Sequence, residues 1–285
     1  MLIVIAGLGL EGGSMAKALK RHTDHTVFGW NRTLSVAEQA LADGAIDGIA
    51  DETVLSRCDL LIPVLYPRAT IDYLRRAIPL MKRGAQVVDL VGVKTAVVEA
   101  VTPLALAHGV RYTGGHPMAG LAKAGYGRSF PGLFRGASMI LVPTAATAEG
   151  DIDGLTALFR QVGFQLIRIC DPQTHDRMIA HTSQLAHVVS NAYVKSPVST
   201  RYVGFTGGSY KDMTRVACIN EMVWKELFLL NREALLTEID QLIAHVGQVR
   251  DALSQGDEAR LEAVLREGRE AKETIDALNP DQPSE

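Results

Sequence analysis

A histidine set among glycines, in Gly114-Gly115-His116-Pro117-Met118-Ala119-Gly120, is the stretch of this chain best suited to moving a proton. It follows a short strand-like run, Val110 to Thr113, and is expected where a strand of an α/β sheet gives way to a loop. Ligands in open α/β sheets bind beyond the carboxyl ends of the strands. The glycines would let backbone and ligand approach closely. Taken alone, the stretch also fits a turn whose histidine only makes a hydrogen bond.

A second stretch has the chemistry of phosphate binding. Leu2 to Ala6 reads as a buried parallel strand, and Gly7-Leu8-Gly9-Leu10-Glu11-Gly12-Gly13-Ser14 follows at once, opening a helical pattern through Met15, Ala18 and Leu19. This is G-x-G-x-x-G with a strand before it and a helix after it. Gly7 allows the tight turn, Gly9 lets a pyrophosphate approach, and Gly12 lets helix and strand pack closely. Leu10 opens a helix whose free N–H groups and positive dipole end suit the phosphates. The strand His25 to Trp30 ends in Asn31-Arg32-Thr33, where an NAD site would usually place Asp or Glu on the ribose 2′-hydroxyl. No carboxylate repels a 2′-phosphate here. Arg32 can pair with that phosphate, and Asn31 and Thr33 can donate hydrogen bonds, which favours NADP over NAD. The alternative is an Arg32 that makes no contact.

Two further groups of residues lie later in the chain. Phe205 to Ala217 is rich in glycine and in groups that bind anions, Ser209 among them. Arg215, placed to open the next helix, either takes a carboxylate through two parallel hydrogen bonds or pairs with Asp212. His175, His181 and His187 invite a metal reading, but six residues on a helix turn through about 600°, so each points about 120° from the next. No metal site is expected. Asp176, Ala180, Ser183 and His187 are spaced to share one helical face, which would turn His187 towards a cleft or into ordinary packing.

The elements that must position these residues follow an α/β rhythm. Strands are expected at Asp59 to Leu65, Gln86 to Leu90, Ser138 to Val142 and Phe164 to Ile169, with helices near 68–81, 94–108 and 151–162 between or beside them. After Asp171 the period becomes helical, with helices near 172–194, 220–254 (as one helix or broken) and 258–278. The set Leu261, Val264, Leu265, Ala271, Ile275 and Leu278 gives the last helix one stripe to bury. The expected fold is therefore α/β: an N-terminal Rossmann-type doubly wound domain over 1–170, followed by an all-helical domain over 171–285. Long apolar-faced helices after a nucleotide domain often bury against a second subunit, so a homodimer is expected. The tail from Asn279 is expected to be disordered.

Composition limits the function classes. The chain has 285 residues, 47% apolar and 21% charged, enough for a sizeable core. A net charge of −3 gives no electrostatic case for nucleic acid or an anionic membrane. No run approaches the roughly 20 apolar residues of a membrane span. Cys58, Cys170 and Cys218 are far apart and form no CxxC, as expected of reduced thiols in a cytoplasmic protein.

These motifs, in this order, resemble those of the prephenate/arogenate dehydrogenase family of tyrosine biosynthesis, and the resemblance covers nearly the whole chain. It rests on Gly7 to Ser14 as the nucleotide loop, Asp89 to Lys94 as a variant of the D-x-G-S-x-K turn, and His116 to Gly120 as the H-P-M-A-G box. It rests also on Asp176 to His187 as a variant of the H-D-…-S-H-L-P-H helix and on Gly208 to Ala217 as the G-S-Y/F-R-D-x-T-R-I-A segment. The resemblance implies oxidative decarboxylation of prephenate to 4-hydroxyphenylpyruvate, or of arogenate to tyrosine, with hydride transfer to NAD(P). It implies His116 as the catalytic base, Arg215 as the substrate-carboxylate arginine, His187 facing the substrate, and Ser209 and Gln184 at the substrate site.

Two departures stand out. The family's serine beside the catalytic histidine falls on Gly92, and the first His of S-H-L-P-H falls on Gln184. The first keeps open a 4-amino-4-deoxyprephenate dehydrogenase of secondary metabolism, and Gln184 bears on the choice between the keto group of prephenate and the amine of arogenate. Two other readings are a β-hydroxyacid dehydrogenase using Lys195, which leaves the H-P-M-A-G box unexplained, and a non-catalytic NADP(H)-binding sensor.

Overall fold

The computed structural model describes residues 1–121, 125–201 and 204–278, so the expected disorder from Asn279 lies outside the described residues. By compactness the chain forms two units, Met1–Arg232 and Glu233–Glu285.

The first unit is built on an eight-stranded sheet. Its elements in order are β1 (Leu2–Ala6), α1 (Leu10–His22), β2 (Thr26–Trp30), α2 (Leu34–Ala42), β3 (Gly48–Ile49), α3 (Glu52–Leu55), β4 (Leu60–Pro63), α4 (Pro67–Ala77), β5 (Gln86–Val88), α5 (Thr95–His108), β6 (Arg111–Pro117), β7 (Ser138–Pro143), α6 (Asp151–Val162) and β8 (Leu166–Ile169). The strands lie in the order β3-β2-β1-β4-β5-β6-β7-β8. The order reverses between β1 and β4, the topological switch point at which α/β sheets hold dinucleotides. Alternate residues of β1 serve two cores. Ile3 and Ile5 join Met15, Leu19 and Phe159 on one face. Val4 and Ala6 join Leu61, Leu74, Val97 and Tyr112 on the other. Burial on both faces explains why β1 is apolar throughout rather than alternating.

Strand β7 pairs antiparallel with β6, and β8 parallel with β7. This pairing changes one sequence expectation. His116 is not in a loop: β6 continues through Gly114, Gly115, His116 and Pro117, which face Val142, Leu141, Ile140 and Met139 of β7. The partner strand carries the backbone hydrogen bonds that a loop would have left to water.

Helices α7 (Pro172–Ile179), α8 (Ala186–Tyr193), α9 (Gly208–Thr214) and α10 (Glu221–Leu230) complete the first unit. The expected single helix at 172–194 is continuous but not uniform. Ala180–Leu185 winds as a π-helix between α7 and α8, with a wider turn than the 3.6-residue period assumes. A second correction concerns Arg215. It caps the C-terminus of α9, because Gly208–Thr214 is itself helical and the next helix starts only at Glu221.

The second unit contains α11, which begins at Arg232 and ends at Gln255, and α12 (Glu258–Leu278). The stripe expected to bury α12 stays open within the single chain. Leu265, Ile275 and Leu278 are 60%, 53% and 75% exposed, and none of the helix's described residues is buried. Among the described residues no helix is long and apolar enough to cross a membrane.

Candidate active site

The nucleotide loop fits a dinucleotide at the switch point. A Cβ on Gly12 would sit 1.8 Å from the Gly7 carbonyl oxygen, so the helix approaches its strand closer than any side chain permits. Gly9 has nothing within 4 Å of the corresponding position, and that open cradle is where a pyrophosphate can meet the backbone. Leu10 is the first residue of α1, and Gly9, its N-cap, places no side chain over the N–H groups of the first turn.

At the end of β2 the three candidate residues divide. Asn31 is committed to the protein: its Oδ1 accepts from the Leu8 N–H at 3.0 Å and its Nδ2 donates to the Thr33 carbonyl at 3.0 Å. It shapes the loop, and these bonds use one of the two Nδ2 hydrogens. Arg32 and Thr33 are exposed. Thr33 is the N-cap of α2 without a side-chain cap bond, so its hydroxyl is not engaged there.

Glu11 drew no attention in the sequence, yet burial pushes its carboxyl up to about 7. It lies in the first turn of α1, where an ionised carboxylate would oppose a bound pyrophosphate and a neutral one would not.

The catalytic candidate sits on β6 above a buried polar network. Lys94 and Asp89 are an ion pair with both side chains fully buried. Lys94 Nζ also donates to the Gly115 carbonyl at 2.7 Å, and the Tyr112 hydroxyl donates to Asp89 Oδ2 at 2.8 Å. Gly115 is needed for this contact, since a Cβ there would lie 2.6 Å from the Asp89 carbonyl oxygen. The glycines before His116 thus admit protein rather than ligand. Burial lowers the proton affinity of Lys94, and Asp89 opposes that shift. Removing one partner of such a pair costs about 3–5 kcal/mol.

His116 retains some exposure, and its Nδ1 lies 2.9 Å from Nε2 of His175. His175 Nδ1 is 2.7 Å from Asp176 Oδ1. Asp176 also accepts from the backbone N–H groups of Lys94 at 2.8 Å and Thr95 at 2.9 Å, at the start of α5. Desolvation, then the neighbouring His175 and Lys94, hold His116 well below the ordinary imidazole range. Burial would raise the Asp176 carboxyl, but the hydrogen bonds from His175, Thr95 and Lys94 outweigh it and leave the group below its usual range. The other face of His116 looks at Gly92. A Cβ built on Gly92 would be 3.7 Å from His116 Nε2 and 3.4 Å from Leu227 Cδ2.

A cavity of about 460 Å³ holds the anion-binding candidates, with His181, Ser183, His187, Asp212 and Arg215 among its lining residues. His187 donates from Nδ1 to the Val216 carbonyl at 3.0 Å, and its ring lies 3.8 Å from that of Trp224. Burial, helped by the charge on Arg215, lowers its proton affinity. Among the described residues no ion pair joins Arg215 to Asp212, so the guanidinium is open to a ligand carboxylate. Helix α10 relates this cavity to His116: Leu227 faces Gly92 and Trp224 faces His187, three residues or about 4.5 Å of helix rise apart.

Gln184 and Ser209 are not brought into this cavity. Gln184 is buried, with Oε1 accepting from Asn231 Nδ2 at 2.9 Å and Nε2 donating to the Leu227 carbonyl at 3.5 Å. It ties α10 to the π-helix. The wider turn is the cause: the buried line runs Asp176, Ala180, Gln184, so Asp176 and His187 do not share the face that α-helical spacing predicts. Ser209 is exposed in the first turn of α9. Lys195 is exposed beyond the end of α8. Among the described residues no group of three or more His, Cys, Asp or Glu is arranged to hold a metal ion.

Known proteins resemble the chain over nearly its whole length. Residues 15–168 match a family model described as prephenate dehydrogenase, nucleotide-binding domain. Residues 171–267 match one described as prephenate dehydrogenase, dimerization domain. The chain is 28% identical to the cyclohexadienyl dehydrogenase of Zymomonas mobilis, over 95% of this chain and 94% of that one. It superposes on a crystal structure of prephenate dehydrogenase from A. aeolicus in complex with hydroxyphenyl propionate and NAD+, with a TM-score of 0.85 and 26% identity, over 97% of this chain and 98% of that one. It superposes on Synechocystis arogenate dehydrogenase with a TM-score of 0.82 and 26% identity, over 96% of this chain and 100% of that one.

Proposed function

Because the chain belongs to the prephenate dehydrogenase family, we propose that it oxidatively decarboxylates prephenate, or its amino counterpart arogenate, in tyrosine biosynthesis, with His116 as the base. The observation that carries this reading is His116 itself, held by protein at Nδ1 and open at Nε2 beside Gly92. When bound, NAD(P) accepts the hydride from ring carbon C4. The chain's part is to take the proton and hold the ring. His116 Nε2 accepts the C4 hydroxyl proton as that carbon becomes a carbonyl. Arg215 pairs with the side-chain carboxylate, and His187 packs beside it. The ring carboxylate then leaves as CO2, and aromatisation supplies much of the driving force, so orientation is the larger share of the protein's work.

The test is nicotinamide absorbance with purified protein, prephenate and arogenate each being offered with NADP and with NAD. No reduction with either substrate, despite measurable NADPH binding, would count against the reading.

NADP is the favoured cofactor, supported by an exposed Arg32 and the lack of a carboxylate at the end of β2. Charge-assisted bonds to a 2′-phosphate contribute about 1.5–3 kcal/mol. Arg32→Ala is therefore expected to raise KM for NADP roughly 10- to 150-fold and to leave KM for NAD within about twofold. Equal shifts for both cofactors would defeat the assignment.

Gly92 supports a second reading of the group at C4. The space its missing side chain leaves beside Nε2 accommodates either a hydroxyl or an amine, the latter as in 4-amino-4-deoxyprephenate. Gly92→Ser fits by distance and restores one neutral hydrogen bond, about 0.5–1.5 kcal/mol. If prephenate is the substrate, kcat should rise about two- to tenfold. A fall in kcat with prephenate, together with turnover of the 4-amino analogue, would favour the amine.

The functional division we infer is 1–170 for the dinucleotide and 171–285 for substrate and dimer contacts, in keeping with family matches that meet between residues 168 and 171. The exposed stripe of α12 is the face we assign to a homodimer in the cytoplasm. A monomer in light scattering at micromolar concentration would argue against the dimer.

A further inference from the structure

His175 and Asp176 are not surface groups that happen to lie near the base. Both are buried, and together with His116 they form an unbroken line of hydrogen bonds, 2.7 Å from Asp176 to His175 and 2.9 Å from His175 to His116. The line has a direction. Asp176 already accepts two backbone N–H bonds at the start of α5, and an ionised carboxylate only accepts. Its third bond must therefore come from a proton on His175 Nδ1. A neutral imidazole carries one N–H, so His175 Nε2 is bare and must accept. The donor facing it is Nδ1 of His116. The proton of neutral His116 is thereby placed on Nδ1, and Nε2, on the side of Gly92, carries the lone pair.

We propose that Asp176 and His175 are positioning residues that lock His116 in the Nδ1–H tautomer and orient its ring, so that Nε2 is the atom offered to the substrate. The proposal rests on the reading of His116 as the base. When Nε2 takes the C4 hydroxyl proton, the new positive charge is shared along the line towards Asp176, and no proton need leave it. Lys94 and Asp89 are the other charged groups beside this line. Lys94 bonds to Asp89 and to the Gly115 carbonyl, so it competes for none of the three links.

The direct test is the nitrogen spectrum of protein labelled with 15N-histidine, with His116 assigned by its loss in His116→Gln. The expected result is a protonated Nδ1 and an unprotonated Nε2 on His116 at neutral pH. Asp176→Asn removes the negative charge towards which the new imidazolium charge is shared along the line. The comparable change in a serine-protease triad leaves the geometry intact and lowers kcat about 10⁴-fold. We expect a loss of about 10²- to 10⁴-fold in kcat here, with KM and the NADPH dissociation constant within about threefold of the parent.

Should Asp176→Asn lose its fold with the α5 contacts, the pair His175→Gln and His175→Leu carries the test, since both leave Asp176 in place. The Gln side-chain oxygen can still accept from His116 Nδ1, so that variant should keep most of the turnover that Leu loses. A His116 proton found on Nε2 in the unmodified protein would overturn the proposal, as would equal activity of the Gln and Leu variants. Because the tautomer is read without substrate, a correct tautomer with no turnover of any substrate would fault the assigned reaction and not the positioning.

Discussion

Changing His116 to asparagine is expected to lower kcat by about 10³- to 10⁴-fold and to leave NADPH binding intact. General-base catalysis contributes roughly 10²- to 10⁴-fold, and the upper part of that range applies where no second base is at hand. Near His116 Nε2 lie Gly92 and Leu227, neither of which can accept a proton in its place. Asparagine is the informative substitute, because its side-chain amide can still donate to His175 Nε2 and so keep the buried line filled. The nucleotide loop belongs to β1 and α1, not to β6, so cofactor titration monitored by fluorescence should be unchanged. Turnover within tenfold of the parent would remove His116 from the mechanism.

The pH profile of the parent follows from the same environment. Only neutral His116 can act as base. Below its pKa the ring is protonated and the rate falls; above it the rate reaches a plateau. Burial, His175 and Lys94 all disfavour the charged form, so the acid limb of kcat/KM should lie below the usual imidazole value of 6.5. The rate should already be level at pH 7. A rate still climbing between pH 7 and 8 would contradict this account of the base.

The second large effect is expected at Arg215. Its guanidinium is exposed and opens onto the cavity that it shares with His187. Arg215→Ala therefore leaves no buried charge stranded and should fold normally. A bidentate carboxylate pair contributes about 1.5–3 kcal/mol, so KM for the substrate should rise about 10- to 150-fold. The carboxylate is bound alike in ground and transition states, and kcat should change less than about threefold. A large loss in kcat at unchanged KM would place Arg215 at the reacting carbon instead. Lysine should recover little, since it offers a point charge in place of the planar fork.

Much of this site was legible in the sequence because its signals are local. The glycine loop, the absence of a carboxylate after β2, and a histidine after Gly115 are all read within a few residues. What was misplaced depends on partners distant in sequence. His116 was expected in a loop because nothing near it announces that β7 will pair with it. His175 was weighed only as a metal ligand, and its true partner lies 59 residues away. Asn31 was read for what it could donate to a phosphate, and the bond its oxygen accepts from the Leu8 N–H was not foreseen. His187 was placed by a 3.6-residue period, and Gln184 by the motif resemblance alone, while Ala180–Leu185 winds with a wider turn. The exposed stripe of α12 is the opposite case: its pattern was plain, and its cover does not come from the described residues of the single chain.

That π-helix separates two jobs on one continuous helix. His175 and Asp176, which form the hydrogen-bonded line to His116, precede it, while His187, which lines the cavity with Arg215, follows it. A residue gained or lost within Ala180–Leu185 would rotate everything beyond it by about 100° relative to everything before it. The wall of that cavity could thus be re-aimed by a single insertion or deletion while His116 kept its support. In descent, specificity could drift without catalysis being rebuilt. For an engineer, the length of this one turn is a coarse dial on what the cavity accepts, to be set before any side chain is changed.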